Sequence, residues 1–273
     1  MKKLIPLATI ALISITMPLF TSLIANAQTG TPSSKATAAY NGAVGCSITA
    51  TSGTWTCGDV FSGAAKPVTS DGYVEIMGSV VKVSNSQSLF VSTSLVTGLY
   101  TNTLVTTKPS KTTGGTNTST ATATGGVYMR AALLDAPGGN VIAYGYPAAA
   151  CNTAVLGCSG TGPDSGVVLD SRVQTLTQTL SDCVVNVTVS GMAGTGTCDF
   201  TSTIQLILQT TSAHGYNFIF PNVGVGTWYM SIQTAADSAA VVNTGTGSAV
   251  GGAAYGLGSV TIESVRLVKS FSF

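Results

Sequence analysis

Residues 203–234 read TIQLILQTTSAHGYNFIFPNVGVGTWYMSIQT. Ile204, Leu206 and Leu208 fall at every second position, as do Tyr216, Phe218 and Phe220 before Pro221. Gly224-Val225-Gly226 turns the chain, and Trp228, Met230 and Ile232 then share one face. Successive side chains of a strand point to opposite faces, so a period of two marks a strand with one apolar side. A helix would repeat at three and four instead. The stretch therefore reads as two strands joined by a turn. Its alternation assigns Trp228 to the core and Tyr229 to the outer face.

The same grammar extends outward in both directions. Residues 73–83 are rich in β-branched side chains, with Val74 and Ile76 on one face. Leu89, Val91, Thr93 and Leu95 alternate with Phe90, Ser92, Ser94 and Val96, so both faces are partly apolar and this strand is placed centrally. Asp135-Ala136-Pro137-Gly138-Gly139-Asn140 is a turn between two β-prone runs. In residues 167–180, Val168, Val173, Leu176 and Leu180 fit a short helix or a strand, and Thr175, Thr177 and Thr179 favour the strand. Val260 and Ile262 open a last strand in which Val265 and Leu267 have the opposite parity, which predicts a bulge or two-sided burial. Residues 101–125 are dominated by Thr around Lys108-Pro109-Ser110-Lys111 and Gly114-Gly115, and read as a long exposed loop. Together these runs predict an all-β chain: one antiparallel, jelly-roll-like β-sandwich domain over residues 41–273.

Met1-Lys2-Lys3, an apolar run from Leu4 to Ile24 and Ala25-Asn26-Ala27 form a basic, apolar and small-residue series. That series reads as a signal peptide over residues 1–27. Residues 28–40 follow as a small, polar, flexible arm. No later stretch is apolar enough for a membrane helix. The six cysteines fall in sequence-local pairs, Cys46/Cys57, Cys151/Cys158 and Cys183/Cys198. Behind a leader they predict structural disulfides and a secreted protein in the periplasm, at the cell surface or outside the cell. Local pairing is the expected connectivity.

Three further stretches carry a resemblance: Ser88-Leu89-Phe90-Val91 through Gly98-Leu99-Tyr100-Thr101, Tyr216 to Trp228, and Gly258 to Leu267. Their order resembles jelly-roll modules of uncharacterised secreted bacterial proteins, including tail, fibre and carbohydrate-binding versions. The resemblance implies ligand-binding or assembling surface domains.

The charge pattern excludes some classes. Removing Lys2 and Lys3 takes eleven basic residues to nine, against ten acidic ones, for a net charge of −1. No basic patch is present, which disfavours nucleic acid as a partner. His214 is the single histidine and reads as a loop residue without a nucleophile-elbow sequence around it. One histidine and paired cysteines make a poor metal site, so no catalytic, cofactor or metal residue is assigned. Glycoside hydrolysis needs only two carboxylates. The candidates are Asp59, Asp71, Glu75, Asp135, Asp164, Asp170, Asp182, Asp199, Asp237 and Glu263, most of them in turn-like contexts. For sugar stacking, Trp55, Trp228, Tyr100, Tyr128, Tyr144, Tyr216, Tyr229 and Tyr255 are available, and Trp55 and Tyr229 are chosen as ligand contacts. The closing Ser270-Phe271-Ser272-Phe273 also resembles an outer-membrane barrel signal, against which the aromatic girdles are thin. The expectation is a non-catalytic extracellular structural or interaction protein, with its own copies or a glycan as partner. A carbohydrate-binding module is the alternative.

Overall fold

The computed structural model describes residues 36–42, 44–61, 66–67, 72–151, 157–159, 165–189 and 191–265. The leader, Asp71, Asp164, Leu267 and the closing residues 270–273 lie outside the described residues. The strands in chain order are β1 (Ala36–Asn41), β2 (Gly45–Ala50), β3 (Lys66–Pro67), β4 (Val74–Val83), β5 (Gln87–Thr107), β6 (Thr116–Leu134) and β7 (Val141–Tyr144). They continue as β8 (Cys158–Ser159), β9 (Gly166–Ser181), β10 (Val184–Val189), β11 (Met192–Thr197), β12 (Ser202–Val223), β13 (Gly226–Thr244) and β14 (Thr246–Val265). One short helix, α1 (Cys57–Val60), and a 3-10 turn at Ala148–Ala150 complete the set.

The opening stretch forms β12 and the start of β13, as its alternation requires. One sheet runs β12-β5-β14-β2-β3, and the other β4-β13-β6-β9-β8. β1 and β2 share one flank of β14, β1 along Gly258–Glu263 and β2 along Val250–Tyr255. The long strands pair antiparallel throughout. β1 to β3 stay in the first sheet and β6 to β9 in the second, while β4-β5-β6 and β12-β13-β14 cross between the two at every step. Four strands, β2-β14-β5-β12, thus face β4-β13-β6-β9 in an antiparallel sandwich. The described strands make two large packed sheets and a separate two-stranded β10-β11 sheet instead of the single closed sheet of a barrel.

The core lies between the sheets. Leu89, Val91 and Leu95 of β5 meet Met129 and Val127 of β6, Met230 and Ile232 of β13, and Phe218 and Phe220 of β12. Each such side chain contributes about 1.5–3 kcal/mol by leaving water. β5 is central, paired on both flanks, and its second face is covered as well. There, residues 51–61 fold back and bury Val60 and Phe61 against Tyr100, Val250 and Ala254. The Cys46–Cys57 disulfide pins this flap. Cys151–Cys158 and Cys183–Cys198 are also formed, so all three local pairings hold.

Four expectations need correction. The Thr-rich residues 101–125 are not a loop; they end β5 and begin β6, with only 108–115 between. Threonine is β-branched and fits a pleated surface, and its hydroxyl finds cross-strand partners. Thr118, Thr120 and Thr122 meet Thr179, Thr177 and Thr175 of β9 at 3.0–3.1 Å. The arm assigned to residues 28–40 is strand from Ala36 onward, paired with Glu263 to Gly258. The bulge in β14 falls between Tyr255 and Gly258, ahead of the parity change read at Val265. Glycines at 256 and 258 relax the pleat there. It lets Ala253 and Tyr255 face inward on one side, and Val260 and Ile262 on the other. Finally, His214 sits within β12 opposite Leu95, not in a loop.

Candidate functional site

The β12–β13 turn and the β6–β7 hairpin meet at one end of the sandwich. Asn222 adopts φ 53°, a left-handed conformation that asparagine tolerates, and this accompanies the break in pairing between Phe220 and Val223. β7 pairs with Ala132–Leu134 of β6, and the chain then runs through Gly145 to Tyr146. Gly145 lies flat on the core, where a Cβ would meet Phe218 and Phe220 at 2.8–2.9 Å. A backbone bridge between Tyr146 and Ile219 ties this segment to β12, with both hydrogen bonds at 2.9–3.0 Å.

These elements enclose a cleft of about 460 Å³. Its walls carry Tyr144, Tyr146 and Trp228, with Leu133, Ile142 and Asn222 among the others, and no charged side chain among the described residues. Trp228 extends the inward row of Met230 and Ile232 to the open end, so it is only partly buried. Its indole N–H donates to the Gly224 carbonyl at 3.0 Å, which fixes the ring. Ile142 is 54% exposed and marks an apolar rim.

Tyr144 joins the cleft to a polar row on the outer face of the β4-β13-β6 sheet. The Arg130 guanidinium lies 4.9 Å from the Tyr144 ring centre and 4.0 Å from that of Tyr73. A cation held between two aromatic faces is attracted by both. Arg130 Nε donates to Gln233 Oε1 at 2.7 Å, and Gln233 Nε2 to Ser231 Oγ at 3.4 Å. Ser231 Oγ donates to Glu75 Oε2 at 2.5 Å, and the Tyr229 hydroxyl to Glu75 Oε1 at 2.7 Å. Tyr229 reaches Glu75 by lying across Gly78, whose missing side chain makes the room. Burial first, then the hydrogen bond to Glu75 and its charge, push the Tyr229 phenol well above its usual range.

The two ligand contacts chosen from sequence do not come together. Trp55 belongs to the flap on the opposite sheet, tilted 38° against Tyr100 with centroids 6.3 Å apart. Tyr229 is half-buried and committed to Glu75. Trp228, assigned to the core, packs against it and also lines the cleft. Tyr146 and Asn222 went unread. The one available signal was the Tyr144-Gly-Tyr146 spacing, which sets two rings two residues apart.

A second cluster lies between β9 and β12. Asp170 Oδ2 accepts from Thr97 at 2.6 Å and sits 3.3 Å from His214 Nε2, while Ser212 Oγ is 2.7 Å from the same nitrogen. In a catalytic triad the serine and the carboxylate address opposite ring nitrogens, so that one proton is taken while the other is held. Here both address Nε2, and no such relay is formed. Four other carboxylates have separate partners: Asp59 with Thr56, Asp135 with Asn140, Asp182 with the Gly114 amide and Asp237 with the Ser238 amide. Among the described residues no group of three or more His, Cys, Asp or Glu is placed to hold a metal ion. Among them, too, no helix is long and apolar enough to cross a membrane. The sequence matches no known protein family and no curated protein.

Proposed function

We propose that this protein is a non-catalytic extracellular interaction module that holds a neutral glycan in the aromatic cleft. The carrying observation is the combination of three rings, Tyr144, Tyr146 and Trp228, with walls that carry no charge among the described residues. The C–H faces of a pyranose ring stack on aromatic faces, and its hydroxyls match Tyr hydroxyls and the Asn222 amide. A neutral ligand loses no ion hydration on entering such a site, whereas a charged one would meet no counter-ion there. The site is also rigid. Gly145 is seated on Phe218 and Phe220, the Trp228 indole is fixed by Gly224, and Tyr144 leans on Arg130, so little freedom is lost on binding. Three disulfides and the leader-like N-terminus support a secreted location.

Retention of the oxidised protein on immobilised neutral polysaccharides, followed by titration with soluble oligosaccharides, tests this reading. Trp228→Ala and Tyr146→Ala are each expected to weaken binding at least about tenfold, equivalent to ~1.4 kcal/mol. Trp55→Ala is expected to leave it unchanged. Binding that survives both cleft substitutions, or no retention on any neutral glycan, would defeat the proposal.

A further inference from the structure

We infer that β12 is a self-pairing edge: two copies of this protein join through residues 202–212, antiparallel across a twofold axis at Ile207. This goes beyond the glycan reading and does not depend on it.

Among the described residues, β12 is the last strand of its sheet and pairs only with β5. The Tyr146–Ile219 bridge closes its free flank at one end, leaving the earlier stretch uncovered. Ile204, Leu206, Ile207 and Leu208 are 40–52% exposed there. Edge strands of monomers are usually blunted by charge, proline or shortness. Residues 202–212 contain no charged residue and no proline, and the strand is 22 residues long.

The sequence says what covers it. Ser202-Thr203-Ile204-Gln205-Leu206-Ile207-Leu208-Gln209-Thr210-Thr211-Ser212 reads alike in both directions, except for Ile204 against Thr210. Around an axis at Ile207, Leu206 meets Leu208, Gln205 meets Gln209, Thr203 meets Thr211 and Ser202 meets Ser212. Apolar groups face apolar groups, and no like charges are brought together. A twofold contact needs this self-complementarity, because each partner presents the same patch.

The backbone is set for it. The Ile219 N–H and carbonyl both bond to Tyr146 on the flank away from β5, and the pairing with β5 keeps one register from Ser202 to Phe220. The odd-numbered residues therefore offer their N–H and C=O groups outward. Ile207 would face its own copy in a hydrogen-bonded pair, where Cα atoms stand about 5.5 Å apart.

Sedimentation equilibrium and engineered cysteines test the register. The purified oxidised protein is expected to approach twice the chain mass as concentration rises, and Ile207→Lys to hold it at the chain mass. Ile207→Cys is expected to give a covalent dimer under mild oxidation, because its symmetry mate lies within disulfide reach. Gln205→Cys, displaced from its own copy, is expected to give none. Far-UV circular dichroism checks that each variant is folded. A wild-type protein that remains monomeric overturns the inference, and so points to a foreign strand or another segment of this chain on the edge. Cross-linking at Gln205→Cys but not Ile207→Cys overturns it as well.

Discussion

The two ends of β12 point the same parity inward and meet different surroundings. Phe218 and Phe220 are fully buried, packed with Leu89, Val91, Met129 and Met230. Leu206 and Leu208 face inward too, yet remain 40% and 42% exposed. The difference lies in what stands opposite. At the first end, aliphatic and aromatic side chains from both sheets interdigitate. At the second, β9 presents Asp170, Arg172, Gln174 and Gln178. These reach across to His214, Thr210, the Leu206 carbonyl and Ser202 in turn. β5 shows the same division, from Leu89, Val91 and Leu95 to Thr97, Thr101 and Thr103, all buried. One end is closed by packing and the other is bridged by hydrogen bonds. Packing improves with every atom added, but a polar seam is only as good as its least satisfied group. In this seam Arg172 Nη1 and Gln178 Oε1 are buried without a partner among the described residues. The sandwich is therefore tight at its cleft end and looser along the free edge.

The largest effect expected is at the packed end. Phe218→Ala should cost about 3–5 kcal/mol in chemical denaturation, since it leaves a cavity among side chains that cannot collapse. In the seam, Gln174→Ala removes the bridge between Thr101, Thr103 and the Leu206 carbonyl, whose bonds to it are 2.6–2.8 Å. Its expected cost is smaller, about 1–3 kcal/mol, because water can enter near a half-exposed edge. Amide hydrogen exchange of the Ile207→Lys protein, whose edge is left free, should show the same ranking, with residues 204–210 opening before residues 216–220. A Gln174→Ala loss equal to that of Phe218→Ala would erase the distinction.

The smallest effect concerns pH. Burial raises the Tyr229 phenol above its unfolded value of about 10. The unfolded chain then loses that proton first, so stability is fully present below pH 10 and falls as pH rises beyond it. Burial raises Tyr128, Tyr216 and Tyr255 in the same direction. Tyr229→Phe should make the alkaline decline shallower while leaving stability at pH 5–8 only slightly lower. An unchanged or steeper slope would contradict the buried role of this hydroxyl.

Much of this was legible because strand alternation is local. Residues 203–234 carry their own period, and each cysteine pair closes a short loop, so sheets and disulfides follow from near neighbours. What alternation reports is a side chain's face, not what covers that face. Leu206 and Phe218 therefore look equivalent in sequence and differ in the fold. Thr101 and Thr103 look like loop residues until Gln174, about seventy positions away, supplies their partner. His214 likewise gains its meaning from Asp170 in the other sheet. The cleft was the least visible, since Tyr144, Tyr146 and Trp228 converge only when the β6–β7 hairpin docks on the end of β12.

The two tryptophans offer the most direct test, because the account places them on different sheets with different roles. Indole N–H signals of the 15N-labelled, oxidised protein would be followed while a neutral oligosaccharide is added. The Trp228 signal is expected to shift in a saturable manner, and the Trp55 signal to stay in place. Saturable movement of Trp55 alone, or of neither indole across neutral glycans, would contradict the cleft as the working surface.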